Sequence, residues 1–419
     1  MPVVARFHDF APLTSTEHRP DGWTTWSPRP EIAPHFAINP TGGLHGHGAL
    51  EMGGNNNAAA YGSWRRRIEG IVGGRTYHFI AYYHTKNVAY PRRCVSAQLD
   101  WLDEKDQRVS PPDYALDISK SGDWTKMEYV VPAPPAARAV VIDLSFGWSP
   151  KGTVLWDDIQ LLEEPSPPHR TVRAVTIYHR PRDTKSAAAS VEEFCRLIEE
   201  SAAQRPDIIC LPEGMTVVGT GKTYEEVSEP VPGPTTQKLG ALARKLHTYI
   251  VAGLYERVGA TIYNTAVLIG RQGEVVGTYR KTHLPREEVE AGLSPGDAYP
   301  VFNTDFGKVG LLICWDVQFP EPARALALKG AEVILLPIWG GNEVLARARA
   351  IENHVYLVTS SYDMKTFIVD PTGEVLSEAT PEHAIAVAEL PLDKVIEQPW
   401  LGNMKTRTWK ERRPDIPLP

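Results

Sequence analysis

The sequence predicts an α/β fold preceded by a separate all-β sandwich, and three observations predict it. Up to Glu164 the chain is a series of short apolar runs broken by Gly, Pro, Asn and Asp, with no sustained helical periodicity. From Thr171 onward, strand-like runs alternate with stretches that carry apolar residues at helical spacing. Between them lies EEPSPPHR (163–170), a Pro-rich connector of the semi-rigid kind. A chain of 419 residues is also too long for one compact core. The expected organisation is a β-sandwich over 1–164, a linker over 165–170, an α/β domain over 171–390 and a tail over 391–419 that is rich in Pro, Trp and Arg.

In the first part, strand-like runs fall at 77–83, 95–101, 126–131, 139–146 and 153–162. Many short strands with frequent turns suggest a sandwich or jelly roll. The runs GRTYHFIAYYH and GTVLWDDIQLLE resemble strands of jelly-roll carbohydrate-binding modules, a likeness of fold pattern that does not fix function. Seven tryptophans (Trp23, Trp26, Trp64, Trp101, Trp124, Trp148, Trp156) have two open uses: core packing, or stacking on a sugar ligand. The pair His45 and His47 in LHGHG lacks further metal-type ligands and reads as a glycine-rich loop. WRRR at 64–67 reads as a solvated strand face.

In the second part, strands are expected at 172–177, 208–211, 249–254, 264–269, 274–279, 309–313, 333–336, 356–360, 367–369 and 384–388. Helices are expected at 187–203, 235–246, 322–329 and 344–353. Arg271-Gln272-Gly273 joins two of the strands as a hairpin.

Three strands end on reactive side chains. IICLPEG (208–214) stops at Pro212 and delivers Glu213, YRKTHLP (279–285) delivers Lys281, and GLLICWDVQFPE (310–321) delivers Cys314 before a helix that Pro320 can start. Singly, each has a plain structural explanation: a cap, a solvated strand end, a small buried thiol. Together, in this order and at intervals of 68 and 33 residues, they resemble the nitrilase (carbon-nitrogen hydrolase) superfamily. The resemblance covers about 171–390, includes RAIEN at 349–353, and implies a four-layer αββα sandwich. It also implies homo-oligomers, with a tail that often wraps a partner subunit.

The chemistry the resemblance implies follows from the residue types. Glu213 takes the proton of Cys314, the base role that histidine plays in other cysteine hydrolases. Lys281 and the backbone N–H of Trp315 stabilise the oxyanion. The resulting thioester is hydrolysed by a water that Glu213 activates, with no metal or organic cofactor. Relatives usually carry a second glutamate between the lysine and the cysteine. In REEVEAGLSPGD (286–297) the choice falls on Glu290, with Glu288 second. His283 reads as structural. Cys314-Trp315-Asp316 followed by Phe-Pro-Glu looks like the amidases and N-carbamoyl-amine hydrolases, whereas nitrilases proper generally carry Cys-Trp-Glu. Substrate contacts are expected from Asp316, Trp339 and Asn342, at strand-end loops.

Composition excludes several classes. An apolar fraction of 42%, a charged fraction of 23% and a formal charge of −7 describe an ordinary globular chain with no call for nucleic acid or anionic lipid. No stretch approaches the ~20 apolar residues of a membrane span, the start lacks a signal-peptide core, and the four cysteines show no metal spacing. A cytoplasmic location is the expectation. The expected activity is hydrolysis of a linear amide or N-carbamoyl amine. Nitrile hydrolysis, N-acyl transfer on the same triad and a binding protein with a vestigial triad remain as alternatives.

Overall fold

The computed structural model describes residues 2–10 and 22–416. The chain forms two compact units, one of residues 1–168 together with 395–419, the other of residues 169–394. The terminal segment, expected as a separate tail, therefore belongs to the first unit.

That unit is built from two antiparallel sheets. The larger runs in the order His35–Asn39, Ala49–Gly53, Thr153–Glu164, Thr76–Lys86, Trp124–Pro132, Asp117–Ser121, with Val3–Phe7 also on Thr153–Glu164. The smaller runs Trp23–Trp26, Tyr61–Glu69, Ala139–Gly147, Val95–Leu102, Asp113–Ala115. Strand alternation fixes what each face holds: Val140, Ile142, Leu144 and Phe146 of one strand enter the shared core. Trp23, Trp64, Trp101 and Trp156 are core, while Trp26 and Trp148 are exposed. In the WRRR run only the last residue behaves as expected. Trp64 is buried, Arg65 pairs with the buried Asp143 at 2.6 Å, and Arg67 is exposed. The terminal segment adds the helix Met404–Glu411 and ties back through Arg93 to Asp415 at 2.6 Å and through Lys410 Nζ to the Arg93 carbonyl at 3.0 Å.

The second unit holds two six-stranded sheets. One runs Val275–Arg280, Thr261–Ile269, Tyr249–Val258, Ile208–Cys210, Thr171–Ile177, Ile385–Pro391; the other runs Val301–Asn303, Lys308–Leu311, Val333–Pro337, Tyr356–Ser360, Thr366–Val369, Val375–Ala379. Their facing sides share one core, in which Val172, Ile208 and Val251 meet Val309, Val333 and Val358. Helices cover the outer sides. Ala187–Glu200, capped by Ser186 Oγ accepting from the Ala189 N–H, presses Val191, Phe194 and Ile198 into a second core shared with Ile209 and Ile250. Pro320–Leu328 and Glu343–Asn353 pack on the other sheet. The layers thus run helix, sheet, sheet, helix.

The central strands of both sheets run parallel: Thr171–Ile177 with Ile208–Cys210 with Tyr249–Val258, and Lys308–Leu311 with Val333–Pro337 with Tyr356–Ser360. Their carboxyl ends therefore open at one edge of each sheet, where α/β folds gather reactive groups. Val275–Arg280 is antiparallel to Thr261–Ile269, itself antiparallel to Tyr249–Val258, so its end at Lys281 opens at that same edge.

Candidate active site

Three strand ends bring the reactive side chains together. Glu213 follows Ile208–Cys210, Lys281 follows Val275–Arg280, and Cys314 follows Lys308–Leu311. Lys281 is 1% exposed, and its Nζ donates to Glu213 Oε1 at 2.9 Å and to Glu288 Oε1 at 2.8 Å. Burial alone works against this ammonium, but the carboxylates of Glu213 and Glu288 outweigh it and hold the lysine charged. The Cys314 thiol is pushed up to about 12 by burial and then by the negative charge of Glu213, while Lys281 and the Trp339 N–H pull the other way. At neutral pH Cys314 is thus a protonated thiol. Its Sγ lies 3.6 Å from the Gly340 carbonyl. Cys314 itself sits at φ 42°, a left-handed conformation that a non-glycine residue holds only under constraint from its surroundings.

Glu213 is gripped from four directions. Asn264 Nδ2 donates to Oε1 at 2.7 Å beside Lys281, the Trp339 N–H donates to Oε2 at 2.9 Å, and Tyr362 Oη donates to the Glu213 carbonyl at 3.0 Å. The neighbouring strand passes so close that a Cβ on Gly253 would lie 2.6 Å from the Glu213 Cα.

Of the two glutamates weighed from the sequence, Glu288 faces Lys281 and Glu290, the first choice, does not. Both sit on the short helix Arg286–Glu290. Two residues apart means about 200° around a helix, so only one can face Lys281. Glu288 is buried and its carboxyl is raised by burial and by the nearby charge of Glu213, with Lys281 opposing. Glu290 is on the outer side, paired with Arg286 at 2.6 Å.

The expected substrate contacts divide. Asp316 is fully buried and takes no substrate-facing position. It accepts from Tyr279 Oη at 2.7 Å, from the Ile313 N–H at 3.0 Å and from the His283 N–H at 3.1 Å, with His283 Nδ1 at 3.0 Å. It therefore ties the lysine loop to the cysteine loop. Asn342 caps the helix Glu343–Asn353, its Oδ1 accepting from the Val344 and Leu345 N–H groups, and its short side chain is spent there. Trp315, next to Cys314 in the chain, is 41% exposed. Trp339 is at the site: its ring packs edge-on against Tyr362, and it lines an open cleft of about 860 Å³ with Arg180, Arg182, Val217 and Tyr224. Tyr224 in turn stacks on Tyr255 with ring centroids 4.4 Å apart. Asn264, Tyr255, Tyr362 and Gly253 were not found from the sequence. Asn264 leaves one trace there, a polar residue inside the apolar run TIYNTAVLIG. Among the described residues, no group of three or more His, Cys, Asp or Glu side chains is arranged to hold a metal ion.

The sequence family described as carbon-nitrogen hydrolase matches residues 171–399. The chain belongs to this family. Relatives of the hydrolase include the omega-amidase NIT2 of Homo sapiens, 33% identical over 237 residues that cover 50% of this chain and 85% of that protein. A protein named nitrilase from Pyrococcus abyssi is 40% identical over 221 residues, 47% of this chain and 81% of that one. Among solved structures, the carbon-nitrogen hydrolase from Helicobacter pylori G27 shares the fold, with a TM-score of 0.50 and 24% identity over 59% of this chain and 97% of that chain. The chain is thus a carbon-nitrogen hydrolase of the nitrilase superfamily.

Proposed function

We propose that this carbon-nitrogen hydrolase cleaves a linear amide or an N-carbamoyl amine through a thioester on Cys314. The observation that carries the reading is the placement of a neutral thiol beside a carboxylate that shares one buried ammonium with a second carboxylate. As Sγ attacks the carbonyl carbon, Glu213 Oε2 takes the thiol proton, and the oxyanion meets Lys281 and the backbone N–H of Trp315. The C–N bond then breaks, and Glu213 passes its proton to the leaving nitrogen. Water attacks the thioester, giving its proton to Glu213, and the C–S bond breaks as the thiol is reprotonated. The products are an acid, or carbamate, and ammonia or an amine. Glu288 keeps Lys281 in place, and the cleft beside Trp339 and Tyr224 receives the substrate.

A second reading, nitrile hydrolysis, is favoured by the 40% identical relative named nitrilase. Asp316 stands against it, since the resemblance associates Cys-Trp-Glu with nitrilases proper. One experiment separates the two. Intact-mass spectrometry is followed while the enzyme turns over propanamide, N-carbamoyl-alanine and propionitrile, with Glu213→Gln alongside to stall thioester breakdown. An acyl-sized adduct on Cys314 is expected from the amide, or a carbamoyl-sized one from the ureide. An adduct from the nitrile alone moves the assignment to the second reading. No adduct on Cys314 from any of them overturns the thioester mechanism.

A further inference from the structure

We propose that Asn264 is a positioning residue that keeps the two carboxylates of the site from sharing a proton; this rests on the thioester reading above. Asn264 is fully buried near the start of Thr261–Ile269. One nitrogen, Nδ2, donates at 2.7 Å to Glu213 Oε1 and at 2.8 Å to Glu288 Oε1. The same two oxygens receive Lys281 Nζ at 2.9 and 2.8 Å. A carboxylate oxygen has two lone pairs for hydrogen bonds. Oε1 of each glutamate is therefore filled, by one ammonium and one amide.

The consequence concerns where a proton can go. Two carboxylates that face common donors are close enough to trap one proton between them, as carboxylate dyads do. A proton trapped there neutralises half of the pair and removes the base. Asn264 occupies that bridging position with a donor that cannot itself be taken up. Protonation of Glu213 is left to Oε2, which receives the Trp339 N–H at 2.9 Å and keeps a lone pair for the thiol proton. On Glu288 the corresponding oxygen, Oε2, is buried and has no hydrogen-bond partner among the described residues. Asn264 Oδ1 is likewise buried without one. The amide is therefore committed to the two carboxylates through its nitrogen alone.

Asn264→Leu keeps the volume and removes the N–H groups. With the panel compound that acylates Cys314 as substrate, kcat/KM is measured against pH. The expected result is an acid limb that moves to higher pH by about one unit or more, with KM changed less than threefold, because a carboxylate that loses a donor holds its proton more tightly. Asn264→Gln, which retains the amide N–H, moves the limb less. A role confined to packing would lower kcat at every pH and leave the limb in place, and that result overturns the proposal. Should Asn264→Leu fail to fold, Asn264→Asp carries the test. It has nearly the native shape and adds a third carboxylate, so the limb moves further in the same direction, and an unmoved limb again overturns the proposal. Failure of the thioester reading is distinct, since wild-type protein would then form no Cys314 adduct with any panel compound.

Discussion

Cys314 and Glu213 are coupled through charge, and that coupling sets the pH behaviour of the thiol. Burial and the Glu213 carboxylate together push it up to about 12. Only the thiolate alkylates at a useful rate, so in substrate-free wild-type protein the reaction of Cys314 with iodoacetamide should rise about tenfold per pH unit from neutrality towards that value. Glu213→Gln removes the charge that raises the thiol. Its folded-state value falls, the thiolate fraction at any pH below it grows, and alkylation at pH 9 becomes faster while turnover is lost. An unchanged alkylation rate in Glu213→Gln, followed by mass spectrometry, would show that Glu213 does not act on this sulfur. The same residue scale explains why the thiol is not a papain-like ion pair. The Nδ1 of His283 is occupied with Asp316 and its ring stacks on Phe319 with centroids 4.1 Å apart, so this imidazole is held away from a base role.

The short helix Arg286–Glu290 decides which glutamate faces Lys281. Glu288 points inward to Lys281 and Asn264, and Glu290 points outward to Arg286. Glu288→Gln should lower kcat by about a hundredfold or more, the usual scale for losing an oriented charge next to a reacting group. Glu290→Gln removes only an exposed i,i+4 pair of the kind worth about 0–1 kcal/mol, and should leave kcat/KM within twofold. A larger loss in Glu290→Gln than in Glu288→Gln, measured at one pH, would reverse the assignment. The strand-end positions of Glu213, Lys281 and Cys314 were legible because each ends an apolar run at a breaker or a turn, and run length is a local property of the chain. The choice between Glu288 and Glu290 was not, because spacing says that two residues lie on opposite helix faces without saying which face is inside. The positions of Asp316 and Asn342 were open for a related reason: polar residues beside a strand-end cysteine or after a strand serve equally as buried anchors and as helix caps. The partners that settle this, Tyr279 and His283 for Asp316 and two backbone N–H groups for Asn342, come from geometry.

Across the whole molecule, the terminal segment belongs to the β unit. The chain leaves the hydrolase unit at Lys394, and residues 395–419 return to the unit of residues 1–168. There Arg407 lies over the Tyr114 ring at 5.9 Å, Asp415 pairs with Arg93, and Lys410 donates to the Arg93 carbonyl. A chain ending at Lys394 should therefore lose amide-exchange protection in Val95–Leu102 and Asp113–Ala115, the second of which packs on the helix Met404–Glu411 and pairs with the first, while Thr171–Ile177 keeps its own. Unchanged protection in the first two strands would mean that the segment adds nothing to that unit. The description of the fold as one of two units is thus not a cut at a single linker.

What the sequence by itself determined is the set of local facts: where turn-broken strands give way to strand–helix alternation, which strands carry a reactive residue at the end, and the order glutamate, lysine, cysteine that marks the family. These depend on periodicity and on breakers such as Pro212 and Pro320, which act over a few residues. Only the tertiary structure decided which groups face one another. Asn264 lies 51 residues from Glu213 and 24 from Glu288, yet one of its nitrogens touches both. That meeting is produced by strand direction and register across a sheet, and by the face a helix turns inward. Both are set by packing between elements distant along the chain, on which no local pattern of residues reports.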